Sequence, residues 1–338
     1  MAVPGNFFEL TLPDYLKGIS DAIIQDNVLL AFLKSKGRLT FNKGGDGYEF
    51  RVRVSKANIG GSATDWDAGR GKTISTVRHC SAKFRPYLWR LVLNDLQADR
   101  QRYAPESSKI ADEQEEDLNE IKQEATERIG VHAYGDGATL STGDAASSIP
   151  IEGLESLIAA TGTYFGLSRT TYTALNSQVV ACANPSLWDD GLVNNLIKAL
   201  DTLMLSCAVG AQPESGISPA VATKKETLDI LITTATLHKV FREALMPQHQ
   251  YVGDTANPMK RLQYGEAEVA WDSFCTASRV YGLNASKLEM RVVGPQIVRL
   301  IKTVEKSQPV VKEFVLGGQM QMHSKDPRVL GKITVTGT

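Results

Sequence analysis

Few residues in this chain have types and spacings that could support chemistry. Gly71-Lys72-Thr73 has the ending of a phosphate-binding loop, in which backbone amides and a lysine cradle phosphate oxygens. That pattern needs another glycine five residues ahead of Gly71, where Trp66 stands, and a helix afterwards, where a β-branched segment follows. Gly166-Leu167-Ser168-Arg169-Thr170 offers a serine as a nucleophile elbow would, but Thr170 occupies the place of the closing glycine. The five histidines (His79, His132, His238, His249, His323) form neither an HExxH motif nor a tight pair. The four cysteines (Cys80, Cys182, Cys207, Cys275) form no CxxC and read as reduced, inert thiols of a cytosolic product. Asp112, Glu113, Glu115, Glu116 and Asp117 are a dense acidic run. A calcium loop would need glycine at its sixth place, glutamate at its twelfth and a loop context. The expectation is therefore no catalytic residue, no cofactor and no metal.

Basic residues give the other chemical signal. Arg51, Arg53, Lys56, Arg70, Lys72, Arg78, Lys83 and Arg85 fall on a segment of β pattern with Trp66 near its middle, so stacking on nucleic-acid bases is conceivable. No nucleic-acid module surrounds them, and protein contact is the preferred reading. Lys34 to Arg90 holds thirteen Lys and Arg against four Asp and Glu, a net of +9. Asp95 to Glu127 holds four against eleven, a net of −7. The whole chain carries −1, which argues against bulk affinity for nucleic acid. The adjoining segments read either as two solvated faces or as complementary surfaces that meet between subunits.

Periodicity gives the elements that must carry these residues. Phe7, Phe8, Leu10 and Leu12 sit in a leading arm that needs a cover, and Asp14 is placed to cap a short helix bearing Leu16, Ile19, Ile23 and Ile24. Tyr48, Phe50, Val52 and Val54 alternate with Glu49, Arg51 and Arg53, as in a strand with one charged face. Residues 73–86 read as the returning strand, and a Gly-rich tip lies between. A two-stranded hairpin has little core of its own, so its expected resting place is another surface, often another chain. Residues 107–129 predict a helix between Pro105 and Gly130, with Ile110, Leu118, Ile121, Ala125 and Ile129 on one narrow stripe. Ser186 with Asp189 predicts the start of a strong helix ending at Gly210. Residues 228–232 predict a buried strand, with Thr234 capping a helix to Leu245. Residues 288–293 predict another strand, and residues 313–323 and 329–335 a closing antiparallel pair. The class is α+β.

At 338 residues and 42% hydrophobic composition the chain can bury a sizeable core, and it is neither disordered nor membranous in composition. No apolar run approaches the ~20 residues needed to span a bilayer, and residues 1–13 lack the features of a secretory signal.

The order of arm, hairpin, acidic helix, mixed β segment, capped helix, strand–Thr–helix and closing strands resembles the Hong Kong 97-like fold of tailed-bacteriophage major capsid proteins. Three stretches carry the local likeness: GTYFGLSRTTYTAL from Gly162, LDILITTATLHKVFREAL from Leu228, and YGLNASKLEMRVV from Tyr281. The resemblance implies an N-terminal arm (1–40), an extended loop (41–90), a peripheral domain with a long spine helix (91–185), an apical domain (186–304) and C-terminal strands returning to the peripheral domain (305–338). It implies a non-enzymatic virion subunit that assembles in the host cytoplasm into pentamers and hexamers around the phage genome. The implied partners are copies of itself, a portal protein, a scaffolding protein supplied separately, a decoration or cement protein, and packaged DNA met without sequence specificity. No membrane is involved. The implied inter-subunit contacts are Arg51, Arg53, Trp66, Arg70 and Lys72 of the loop, Glu113, Glu116 and Glu120 of the spine helix, and Arg169. Some members crosslink a loop lysine to an asparagine; Lys56 and Lys72 are available, but no partner asparagine aligns, and that chemistry is not carried over. A bacterial nanocompartment shell of the same fold is the nearest alternative, and a soluble hydrolase the alternative from another class.

Overall fold

The structure, a computed structural model, describes residues 6–54, 77–94, 110–138, 149–189, 193–210, 227–245, 262–305 and 311–336. Helix α1 (Asn6–Asp26) and helix α2 (Val28–Ser35) open the chain. Leu16, Ile19 and Ile23 recur every three to four residues and are buried, the stripe a core-facing helix requires. The helix starts at Asn6 and runs through Pro13 and Asp14, so Asp14 is not its cap and the expected arm is helical from Asn6. Asn27 separates the two helices. Its Oδ1 accepts from the Leu30 amide at 3.0 Å and caps α2.

Four strands follow: β1 (Leu39–Asn42), β2 (Gly47–Arg53), β3 (Val77–Lys83) and β4 (Arg85–Asn94). Strands β2 and β3 form the expected antiparallel hairpin, in register from Gly47 with Lys83 to Arg53 with Val77. The periodicity reading missed β4, although Tyr87, Trp89 and Leu91 are buried and alternate with exposed Leu88 and Arg90. The long helix α3 (Ile110–Tyr134) has 25 residues, about 37 Å at ~1.5 Å per residue. It does not stop at Gly130. A Cβ there would lie 2.6 Å from Phe274 Cγ, so this glycine permits a close approach rather than ending the helix.

A one-turn helix (Leu154–Leu157) leads to β5 (Gln178–Cys182). The capping signal at Ser186 misplaces the next helix. Trp188–Asp189 pairs with Val193–Asn194, and α4 (Asn195–Gly210) is capped by Asn194, whose Oδ1 accepts from the Leu196 amide at 2.8 Å. The physical reason is burial. Leu187 and Trp188 are exposed, while Leu196, Leu200, Leu203 and Cys207 face the core. Strand β6 (Ile230–Thr233) and helix α5 (Ala235–Leu245) are joined at Thr234, as expected. Then come β7 (Ala267–Trp271), β8 (Arg279–Leu283), β9 (Leu288–Val293), β10 (Arg299–Glu305), β11 (Val311–Ser324) and β12 (Gly331–Val335).

Two sheets organise the body. One has the order β1-β9-β11-β10, with β4 also paired to β11. The other runs from the short strand Gln263–Tyr264 through β7, β6, β8 and β12 to β5. The expected closing pair therefore does not form, because β11 and β12 enter different sheets. The turn between them contains Pro327, which cannot continue a ladder, and Arg328 paired to Asp326 at 2.9 Å. Sheet membership also divides the chain elsewhere than at residues 186 and 305. Strands β9 and β10 belong with β11, and β12 and β5 belong with β6 and β8. One apolar core joins the first sheet to α1, α2 and α3 and reaches Ile230, Ile232, Tyr281 and Leu283 of the other sheet; a second lies between that other sheet and α4 and α5.

Candidate functional site

Among the described residues, the hairpin pairs with no other strand. Its two faces differ sharply. Phe50, Val52, Cys80 and Ala82 are buried on one side, where the Phe50 ring meets Phe165 edge-on and lies 4.4 Å from the His323 ring. The Tyr48 hydroxyl is 2.9 Å from His323 Nδ1, and the Arg291 guanidinium covers the Tyr48 ring at 4.4 Å. Behind them, Glu289 receives Arg291 Nε at 2.8 Å and Lys325 Nζ at 2.7 Å. Burial alone would raise the Glu289 carboxyl, but Lys325 and Arg291 outweigh it and hold the group below its usual range. Burial pushes His323 down to about 3, so the imidazole is neutral near pH 7. The hairpin was expected to take its core from another chain. Its described part takes that core from its own.

The opposite face carries Glu49, Arg51, Arg78, His79 and Lys83, all exposed, with His79 Nδ1 4.0 Å from Glu49. Arg53 ends β2, in register with Val77. Trp66, Arg70 and Lys72 lie outside the described residues. On α3, Leu118, Ile121, Ala125 and Ile129 turn inward, while Glu116, Asp117, Glu120, Glu124 and Glu127 stand in solvent. Glu113 lies in the first turn of the same helix. Along α3 a groove of about 450 Å³ is lined by Asp26, Asn119, Lys122, Gln123, Thr126, Glu127, Ser273 and Phe274. The described residues thus expose Arg51, Arg78 and Lys83 on the hairpin and Glu116, Glu120 and Glu124 on α3, two different elements.

Arg169 is a correction. It was expected at a subunit contact, yet it is 0% exposed and its guanidinium donates to the carbonyls of Ser156, Leu157, Ala159 and Leu175 of its own chain. Its ring neighbour is Tyr164, at 5.1 Å. A single fork thereby closes the loop from Ser156 to Leu175. The sequence signal was a lone arginine among apolar and Thr residues, a setting in which a buried charge must find carbonyl partners.

Among the described residues no cluster of His, Cys, Asp and Glu could hold a metal ion, and no helix is long and apolar enough to cross a membrane. All four cysteines are free and buried, and burial raises each thiol, Cys80 to about 11 and Cys207 to about 12. The residues that sequence reasoning missed are Tyr48, Glu289, Arg291 and His323. The pairing of β9 with β11 brings Glu289 and Arg291 to His323, and the hairpin adds Tyr48 through its side-chain contacts.

No protein-family description matches the chain, and no curated protein is similar to it in sequence. Solved structures do match along nearly its whole length. A chain of the cyanophage A-1(L) capsid asymmetric unit superposes with a TM-score of 0.62 at 18% identity, covering 88% of this chain and 90% of that one. A chain from the capsid of a native GTA particle gives 0.56 at 10% identity, with 90% of each chain covered. A chain of the satellite phage P4 procapsid that includes the size determination protein Sid gives 0.50 at 12% identity, covering 95% and 91%. The chain has the mixed α/β fold that these head-forming subunits share.

Proposed function

We propose that this chain is a major capsid protein: a structural subunit, not an enzyme, that assembles with copies of itself into pentamers and hexamers forming the icosahedral head of a tailed phage. The observation that carries the reading is the likeness to capsid chains across 88% of this chain and 90% of the cyanophage chain, with neither partner leaving a large unmatched domain. The assembled product is a virion head enclosing DNA, which its inner face meets without sequence-specific contacts.

In this reading the sheet holding β11, with α3 as its spine, is the peripheral unit. The sheet holding β6 and β8, with α4 and α5, is the apical unit that gathers around each capsomer axis. The hairpin is the extended loop. Its charged residues Arg51, Arg53, Arg70 and Lys72, with Trp66, reach a neighbouring subunit and meet Glu113, Glu116 and Glu120 of that neighbour's long helix. The charge split between the two segments supports this pairing. Exposed pairs contribute only ~0–1 kcal/mol each, but symmetry repeats them and complementarity sets register and partner choice. A scaffolding or size-setting partner is supported by the likeness to a procapsid chain found with Sid. A portal and a decoration protein complete the partners proposed for the head.

Sedimentation of the purified full-length protein tests the reading. Rapidly sedimenting particles or capsomers are expected, and reversing Arg51 and Arg53 to Glu should weaken them or make them more salt-sensitive. A species that remains a single chain at all concentrations would overturn the reading. Closed particles that enclose protein cargo and no nucleic acid would move it to a nanocompartment shell.

A further inference from the structure

The hairpin joins the body through two narrow crossings. On the incoming side lie Gly44, Gly45 and Asp46, with Gly45 at φ +112, a conformation that side chains rarely adopt. On the outgoing side Phe84 alone separates β3, which pairs with β2, from β4, which pairs with β11. The Phe84 amide donates to the Asp46 carbonyl at 3.0 Å, so both crossings lie at one place. A two-stranded ribbon attached in this way has little in its own backbone to fix its direction. Side-chain contacts have to do so.

We propose that Tyr48 and His323 form a latch that fixes the direction in which the hairpin leaves the subunit. Tyr48 is the second residue of β2, one step past the crossing, and its hydroxyl reaches His323 on β11 at 2.9 Å. Arg291 of β9 lies over the Tyr48 ring, and Phe50 packs on the imidazole. The polar groups facing His323 are Tyr48 from β2, Glu289 and Arg291 from β9, and Lys325 just past the end of β11. His323 Nε2 has no hydrogen-bond partner among the described residues and stands 3.9 Å from Glu289 Oε2, beyond bonding reach. A buried donor or acceptor left unmade is costly, so the ring is held by its Tyr48 and Phe50 contacts rather than by an optimal pairing of its own. The latch rests on the capsid reading only for its consequence, because the direction of the hairpin decides where a neighbour is met. Tyr48 and His323 are positioning residues in that event.

Two variants and two readouts test it. Tyr48→Phe removes the hydroxyl and keeps the ring under Arg291. Tyr87→Phe is the control, since the Tyr87 hydroxyl makes a like contact with His132 Nδ1 at 2.9 Å inside the body. In the full-length protein, Tyr48→Phe should speed amide hydrogen exchange in residues 47–54 and 77–83 by about fivefold, the scale of one net hydrogen bond, while Tyr87→Phe leaves those amides unchanged. In electron micrographs of assembled material Tyr48→Phe should also broaden the particle diameters. Unchanged exchange in Tyr48→Phe overturns the latch. Faster exchange with unaltered diameters overturns its role in setting direction. If the unmodified protein forms no particles, the capsid reading fails and the exchange result alone judges the latch.

Discussion

The Lys332 ammonium of β12 stands 2.6 Å from the Glu155 carboxylate, tying the second sheet to the one-turn helix that covers the first core. Arg279 approaches the same carboxylate at 3.4 Å, and the Tyr281 hydroxyl donates to it at 2.8 Å. Burial alone would raise Glu155, but Lys332, Tyr281 and Arg279 outweigh it and lower the group below 4.5. Burial also lowers Lys332, against the pull of Glu155. The two shifts have different causes, and only Glu155 titrates on the acid side, where Lys332 stays protonated. A carboxyl lowered by folding contributes stability that is complete above its unfolded value near 4.5 and is lost as pH falls through the lower folded value. Thermal unfolding between pH 6 and 3 should show this acid loss. Glu155→Gln should flatten it and cost about 3 kcal/mol at pH 7, because it leaves the buried Lys332 ammonium and the partly buried Arg279 guanidinium facing an amide. An unchanged acid limb in the variant would show that this joint does not govern acid stability.

Two glycines in helices should respond to alanine in opposite ways. At Gly130 a Cβ meets the Phe274 ring at 2.6 Å, so Gly130→Ala should destabilise by about 1–3 kcal/mol. At Gly18 of α1 nothing lies within 4 Å, and Gly18→Ala should stabilise by up to about 1 kcal/mol through helix propensity. Denaturant midpoints of the two variants check the pair, and effects of the same sign would contradict the packing described.

Replacing Arg169 by Lys removes a fork that reaches four carbonyls and supplies a single ammonium in its place. A loss of about 3 kcal/mol or more is expected in denaturant unfolding of the unassembled subunit. If stability held and only assembly fell, Arg169 would be a contact residue after all.

The thiols should be silent in the folded protein. Burial raises all four, and a thiolate is the species that reacts. A colorimetric thiol reagent at pH 8 should label them only as fast as the protein opens, and all four promptly in denaturant. Rapid stoichiometric labelling of the native protein would show at least one to be exposed.

Much of this fold was legible where local pattern and burial agree. Tyr48, Phe50 and Val52 alternate against charged neighbours and form a strand, and the Leu118, Ile121, Ala125 and Ile129 stripe forms the long helix. The failures arise where a tertiary contact overrides a local signal. Gly130 looks like a helix stop until Phe274 is seen against it. Ser186 and Asp189 look like a capping pair, but the apolar face they would start is not the one that is buried. Strands β11 and β12 are neighbours in sequence with a plausible turn, yet Pro327 and the Arg328–Asp326 pair send them to different sheets. The latch was not legible, because its members lie hundreds of residues apart and none stands out alone. The charge of the exposed hairpin face and of the outer side of α3 was legible, since net charge along a segment does not depend on packing.

The central claim is that copies of this chain build a closed shell. Cryo-electron microscopy of the purified full-length protein tests it most directly. The account predicts particles with five- and six-fold capsomers, in which the long helix of one subunit lies under the hairpin of the next. Isolated subunits under every salt and concentration tried, or particles whose hairpins touch only their own chain, would contradict it.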